Sequence, residues 1–175
     1  GIDTLALLPT GGGKSICFQV PALAREGICL VISPLIALMK DQVQNLNNKG
    51  ISALSVYSGM SFAEVKKTLQ QAAHGNYKFL YVSPERIETS LFLEYLPSMN
   101  INLIAVDEAH CISQWGYDFR PPYQRIADIR AHLPEVPVLA LTASATKEVQ
   151  DDICVKLGFA TNHHRYQQSF ERPNL

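Results

Sequence analysis

Two short segments carry residue types that handle phosphate and a divalent cation. Pro9-Thr10-Gly11-Gly12-Gly13-Lys14-Ser15 fits the spacing G-x-x-x-x-G-K-S/T, except that Leu8 holds the first glycine position. Glycines let backbone N–H groups curl around phosphate oxygens without Cβ clashes. A helix opening directly after them adds partial positive charge. In that setting Thr10, Gly11, Gly12, Gly13, Lys14 and Ser15 form a nucleotide site. Lys14 reaches the β- and γ-phosphates of ATP, and Ser15 can hold Mg²⁺. A chance glycine turn followed by Lys-Ser is the competing reading. The apolar run before it and the helical pattern after it argue against chance.

The second segment is Asp107-Glu108-Ala109-His110, at the end of the apolar run Leu103-Ile104-Ala105-Val106. Asp107 at a strand end suits a second, water-mediated Mg²⁺ contact. Glu108, one residue on, can polarise an attacking water. Lys14, Asp107 and Glu108 are therefore the candidate catalytic residues, with Ser15 and Asp107 on the metal. Two acidic residues at a helix start also favour the helix dipole without any chemistry. That reading weakens once the glycine loop is placed beside them. His110 and Cys111 adjoin in sequence, which suits neither a metal pair nor a nucleophile–base pair.

Such groups need a scaffold that brings distant segments together. Short apolar runs rich in Val, Ile and Leu recur at Leu5–Leu8, Ile28–Ile32, Ile51–Tyr57, Phe79–Val82, Ile101–Val106 and Val138–Leu141. They are continuous rather than alternating, as in strands buried on both faces. Between them, Lys14–Arg25, Leu35–Asn48, Ser61–His74 and Thr146–Leu157 read as helices. Ser61 with Glu64 forms a capping-box signature, and Gly50 can end the second helix in a left-handed conformation. Pro21 inside the first helical pattern predicts a kink or an early end. The alternation predicts an α/β fold, a parallel sheet sandwiched by helices. Several runs finish in small polar or acidic residues: Ser33-Pro34, Ser83-Pro84, Asp107-Glu108 and Thr142. In a parallel sheet these ends share the edge where ligands bind, together with the glycine loop. One domain is expected over residues 1–160, with 161–175 a linker leaving it.

Bulk properties narrow the class. The 175 residues are 47% hydrophobic, enough for one domain with a core. No apolar run is long enough to cross a bilayer, so no membrane partner is expected. The start shows no signal peptide and looks cut from something longer. Cys17, Cys29, Cys111 and Cys154 include no C-x-x-C pair, so neither a zinc site nor a disulfide framework is expected. Free thiols fit a reducing cytosol. A net charge of −1 argues against a strongly basic nucleic-acid clamp, although a local track of donors would still bind phosphates.

With both phosphate segments placed, the chain resembles superfamily-two helicases, and within them the RecQ family. The resemblance runs in order along nearly the whole chain. Residues Leu8–Ser15 look like motif I, Val31–Gln42 like motif Ia, and Tyr81–Arg86 like the next DNA-facing motif. Asp107–His110 looks like motif II, Leu141–Thr146 like motif III, and Ser169–Leu175 like the segment entering a second motor domain. The most specific stretch is Cys111-Ile112-Ser113-Gln114-Trp115-Gly116-Tyr117-Asp118-Phe119-Arg120-Pro121. It resembles the aromatic-rich loop that senses single-stranded DNA and couples it to ATP hydrolysis. Its composition suits that work: Trp115, Tyr117 and Phe119 can stack on bases, and Arg120 can meet a phosphate. At least one of these aromatics is expected to be core. Tyr117 departs from the family, which usually has His there.

The resemblance implies the first RecA-like motor domain of an ATP-dependent 3′-to-5′ DNA helicase, with ATP and Mg²⁺ as cofactors. It implies single-stranded and partly duplex DNA as partner, a second RecA-like domain in the same full-length chain, and roles in DNA repair and recombination. The location implied is cytoplasmic, nucleoid-associated in a bacterium, or nuclear in a eukaryote. Ser33, Pro34, Ser83, Arg86, His110, Gln114, Trp115, Phe119, Arg120, Thr142 and Ser144 become the candidates for DNA contact or coupling. The segment before motif I, where the family reads adenine, is not in this sequence, nor is the arginine finger of the second domain. Two other readings compete: a DEAD-box-type RNA helicase, and a nucleotide-binding switch without turnover. His110 and the Trp115 loop count against the first, Glu108 against the second.

Overall fold

The structure, a computed structural model, describes residues 1–168. The segment Ser169–Leu175 and its resemblance lie outside the described residues.

Seven strands form one sheet: β1 (Thr4–Leu7), β2 (Ile28–Ile32), β3 (Ala53–Val56), β4 (Phe79–Val82), β5 (Ile101–Val106), β6 (Val138–Thr142) and β7 (His164–Gln167). Their order is β3-β4-β2-β5-β6-β1-β7, and every pairing is parallel. The expected parallel α/β sandwich is thus the fold. Successive side chains of a strand point to opposite faces. On β2, Leu30 and Ile32 join one core cluster while Cys29 and Val31 join the other. Burial on both sides is why the runs are continuously apolar.

The main helices are α1 (Lys14–Leu23), α2 (Ile36–Asn48) and α3 (Phe62–His74), then the short α4 (Pro84–Ile87) and α5 (Ser90–Tyr95), then α6 (Ile126–His132) and α7 (Lys147–Lys156). One face packs on α1 and α2, where Phe18 meets Phe79 and Tyr81 edge-on at 6.3 Å. The other face packs on α3, α5, α6 and α7. Ser61 and Glu64 make the capping box at the start of α3, and Gly50 is left-handed at φ 74°. Pro21 lies inside α1, which continues only to Leu23 rather than Arg25. No helix of the described residues is long and apolar enough to cross a membrane. The four cysteines are free, three of them buried.

The sheet extends past the expected domain end at residue 160. β7 pairs with β1 within the stretch 161–168, which the sequence pattern marks as the start of a linker. It carries no apolar pattern because all four of its residues are exposed at the sheet edge. Backbone pairing and the Arg165–Asp151 ion pair at 2.6 Å hold it.

Asp3 ties β1 to two distant elements. Its carboxylate accepts from Arg130 of α6 at 2.8 Å and from the Val138 N–H of β6 at 2.9 Å. Arg130 also donates to the Leu157 carbonyl at the end of α7, at 2.6 Å. Removing the carboxylate leaves the largely buried guanidinium without its counter-ion and the Val138 amide without its acceptor. Asp3→Ala is therefore expected to cost about 2 kcal/mol, and a thermal melt should show the midpoint lowered by roughly 4–8 °C.

Candidate active site

The sheet order places the polar strand ends in one row. Ser83 follows β4, Ser33 follows β2, Asp107 follows β5, Thr142 ends β6, and the glycine loop follows β1. Ladder hydrogen bonds continue to the tips. Ser33 N–H donates to the Val82 carbonyl at 3.2 Å, Asp107 N–H to Ile32 at 2.9 Å, and Leu8 N–H to Thr142 at 3.1 Å. The row is therefore held as rigidly as the sheet.

The glycine loop turns on Gly12 N–H donating to the Pro9 carbonyl at 2.8 Å. A Cβ on Gly12 would stand 2.8 Å from that oxygen, and Gly13 caps α1 at φ 78°, where L side chains are strained. The first amides of a helix have no intrahelical acceptor, so those of α1 are left to bind an anion. Lys14 and Ser15 open that helix. A separate groove of about 430 Å³ runs along α1 and is lined by Ala6, Leu8, Pro21, Leu139 and Tyr166. Its lining is apolar and does not suit phosphate.

Asp107 is 9% exposed. Burial, then the neighbouring Glu108, push its carboxyl above the usual range. The Glu108 N–H, Lys14 and the Ser33 hydroxyl oppose this. Ser33 donates to Asp107 at 3.5 Å and the Glu108 amide does so at 3.0 Å. Two adjacent carboxylates at a buried strand end leave negative charge in excess, which a divalent cation would neutralise. An oxygen donor set of Ser15 and Asp107 fits Mg²⁺.

Glu108 occupies the left-handed region at φ 49° and ψ 45°. It is the sole side-chain-bearing residue with positive φ among the described residues. Such a conformation costs about 1–2 kcal/mol and persists only where the surroundings impose it. His110 is buried, with its Nδ1 2.8 Å from Thr142 Oγ1 and 3.4 Å from Glu108 Oε2. Thr142 donates its own proton to the Ser144 carbonyl at 3.2 Å, so its oxygen accepts from His110 Nδ1–H. Burial pulls the His110 pKa down against the pull of Asp118 and Asp107, which keeps the ring neutral. With Nδ1–H engaged by Thr142, the approach to Glu108 is a contact between neighbouring groups rather than an ion pair or a second hydrogen bond.

The loop after Asp107–Glu108 differs from expectation in one respect: none of its three aromatics is core. Trp115 is 68% exposed and Tyr117 78%, while Phe119 is half-buried. Tyr117 lies over the His110 ring at 4.8 Å, with the planes 18° apart. The buried aromatic is Tyr123, further along, whose hydroxyl donates to the Asp107 carbonyl at 2.9 Å. Gly116 has no room for a side chain, since a Cβ would meet the His110 carbonyl at 2.9 Å.

Other candidates divide by what their side chains already hold. Ser33 and Ser83 are buried. Arg86 donates to the Tyr57 and Met60 carbonyls at 3.1 and 2.9 Å, so its guanidinium braces that turn. Pro34 is half-buried, whereas Gln114 and Ser144 are exposed. Arg120 pairs with Asp118 at 3.3 Å. Asp118 also accepts from Cys111 at 3.7 Å, and burial followed by Asp118 pushes that thiol's pKa up to about 12. The ligand atoms of His110, Cys111 and Asp118 lie within 4.8 Å of one another. Each is already engaged in hydrogen bonds, and a thiol held protonated is no nucleophile. Asp118 and Tyr123 are not apparent from sequence. Nothing in residue type or spacing marks which loop carboxylate or which tyrosine hydroxyl turns inward.

Comparison with known proteins adds an independent line. The DEAD/DEAH box helicase family profile matches residues 1–152. The chain is 48% identical over 174 residues to the ATP-dependent DNA helicase RecQ of Bacillus subtilis, covering 99% of this chain and 29% of that protein. It is 45% identical over 175 residues to RecQ of Haemophilus influenzae, covering 100% of this chain and 28% of that one. The chain thus spans under a third of the length of these relatives. The Hef helicase domain of Pyrococcus furiosus superposes with a TM-score of 0.74 at 24% identity, covering 99% of this chain and 36% of that one, a likeness of fold.

Proposed function

Since the chain belongs to the DEAD/DEAH box helicase family, we propose that it is the first of two RecA-like motor domains of a RecQ-type, ATP-dependent DNA helicase. The parent couples ATP hydrolysis to 3′-to-5′ movement on single-stranded DNA and to duplex unwinding. The observation that carries this reading is the row on the sheet edge. It sets the glycine loop, Asp107, Glu108 and Thr142 side by side, with an exposed aromatic loop directly following the carboxylates.

In this reading the glycine-loop amides and Lys14 hold the ATP phosphates. Ser15 and Asp107 would hold Mg²⁺, which would supply positive charge to the phosphate oxygens. Glu108 takes the proton of the attacking water, with His110 packed beside its carboxylate. Thr142, hydrogen-bonded to His110 on one side and to the Ser144 backbone on the other, reports nucleotide state together with Ser144 toward the second domain. Gln114, Trp115, Phe119 and Arg120 meet DNA, while Ser33, Ser83 and Arg86 hold the neighbouring strand ends and turn in position. The DNA contact puts the parent in the nucleoid-bearing cytoplasm or the nucleus.

The test is ATP turnover by the full-length parent with single-stranded DNA, with RNA and with neither. Strong stimulation by DNA and little by RNA is expected. Equal or greater stimulation by RNA would favour an RNA helicase, and ATP binding with no turnover would favour a switch. Residues 1–175 alone should bind nucleotide weakly, distinguish ATP from GTP poorly and fail to unwind DNA. The motor site lies between two domains, and the family's adenine-reading segment precedes motif I.

A further inference from the structure

The peptide joining Asp107 to Glu108 carries both carboxylates of the site. Glu108 stands there in a left-handed conformation that a side-chain-bearing residue keeps only under constraint. On one side the constraint is plain: the Asp107 N–H donates to the Ile32 carbonyl at 2.9 Å and continues the sheet. The Asp107 carbonyl lies beyond Val106, the last residue of β5. Its donor is the Tyr123 hydroxyl, at 2.9 Å and buried.

Tyr123 is fully buried in the core cluster that also holds Val106, Ala109 and Ile112. Its ring is fixed by packing, so its oxygen is a fixed point. It belongs to the 3-10 turn Pro121–Arg125, which closes the exposed loop. The Arg120 N–H donates to the Cys111 carbonyl at 2.8 Å, and the Tyr123 N–H to the Arg120 carbonyl at 3.0 Å. The turn bearing the hydroxyl is therefore stitched to the turn bearing the carboxylates.

We propose that Tyr123 is a positioning residue for Glu108. Its hydroxyl holds the Asp107 carbonyl, fixes the tilt of the Asp107–Glu108 peptide, and so sets where the Glu108 carboxylate stands. Tyr123 is fully buried and acts through the Asp107 carbonyl alone. This rests on the reading of Glu108 as the water-activating carboxylate. Rates are sensitive to such placement, because a shift near 1 Å costs about 100-fold when reacting groups must align.

Tyr123→Phe keeps the ring and removes the oxygen, leaving a buried carbonyl without its donor. In the full-length parent, three measurements without DNA are compared with wild type: the melting midpoint, equilibrium ATP affinity, and single-turnover hydrolysis. The expected result is a midpoint lowered by a few degrees, the cost of one unpaired buried carbonyl, with ATP affinity nearly unchanged and hydrolysis slowed about tenfold, a partial loss of alignment. Unchanged hydrolysis overturns the proposal. So does a parallel loss of midpoint, affinity and rate, which marks a purely structural tyrosine. Wild-type stimulation by single-stranded DNA is measured alongside. Its absence sinks the DNA-coupling reading and leaves the Tyr123 comparison decisive, whereas no wild-type ATP turnover at all overturns both.

Discussion

Glutamine in place of Glu108 is expected to leave the full-length parent able to bind ATP and to slow its hydrolysis about 100- to 10,000-fold, the range of a positioned general base. The substitution keeps size and removes the proton acceptor. Asp107 and its Ser33 hydrogen bond are untouched, so the cation site survives. Glutamine fills the same space beside His110 Nδ1, which stands 3.4 Å from the carboxylate, so the side chain keeps its place. Lys14→Ala should behave differently and lose affinity as well as turnover, because it strips a positive charge from the phosphates. Single-turnover hydrolysis beside equilibrium binding separates the two patterns. A near-normal rate for Glu108→Gln would remove Glu108 from the chemistry.

Trp115→Ala should leave folding and ATP binding of the parent intact and suppress the stimulation of ATPase by single-stranded DNA. The side chain is 68% exposed, and its neighbourhood is secured through the backbone, where Trp115 N–H donates to Ser113 Oγ at 3.2 Å. Surface substitutions of this kind stay within about 0.5 kcal/mol of wild-type stability, whereas a core Trp would cost about 3–5 kcal/mol. Stacking on a base is worth roughly 1–3 kcal/mol, which is about 5- to 150-fold in loop occupancy. Because the chain has one Trp, its emission is a direct probe: red-shifted and open to quenchers in residues 1–175. Blue-shifted, protected emission would place Trp115 in a core and refute the coupling role.

What sequence reveals here follows from what each element buries. β2, β4 and β5 are legible because burial on both faces demands unbroken apolar runs. The edge strand β7, reading His-Arg-Tyr-Gln, is illegible because backbone pairing and one exposed ion pair, rather than burial, enlist it. The short α4, α5 and α6 offer too few turns for a 3.6-residue period to emerge. The glycine loop and Asp107–Glu108 stand out because phosphate and metal chemistry restricts residue types at fixed spacing. Arg86, Asp118 and Tyr123 do not reveal what they hold. Arginine, aspartate and tyrosine serve surfaces and interiors alike, and only the folded path shows that Arg86 grips two carbonyls while Tyr123 reaches Asp107. The aromatic loop misleads in the opposite direction: the usual habit of aromatics assigns one of its rings to the core, and the chain buries Tyr123 instead.

The place of β1 between β6 and β7 governs how the protein can be made. Thr4 pairs with Leu139 on one side and His164 on the other. The strand that presents the glycine loop is therefore the earliest of the seven to leave the ribosome and has no sheet neighbour until the latest two follow. At roughly 5–20 residues per second, it waits on the order of ten seconds or more, exposing Leu5 and Leu7 that end up buried. Meanwhile β2, β3, β4 and β5 already possess their mutual partners and can assemble as a half-sheet. Long-range parallel closure of this kind is intrinsically slow. Nascent-chain arrest before β6 should consequently yield a protease-resistant β2–β5 kernel with the nucleotide-binding loop still unformed, a species suited to capture by chaperones that recognise exposed aliphatic strands.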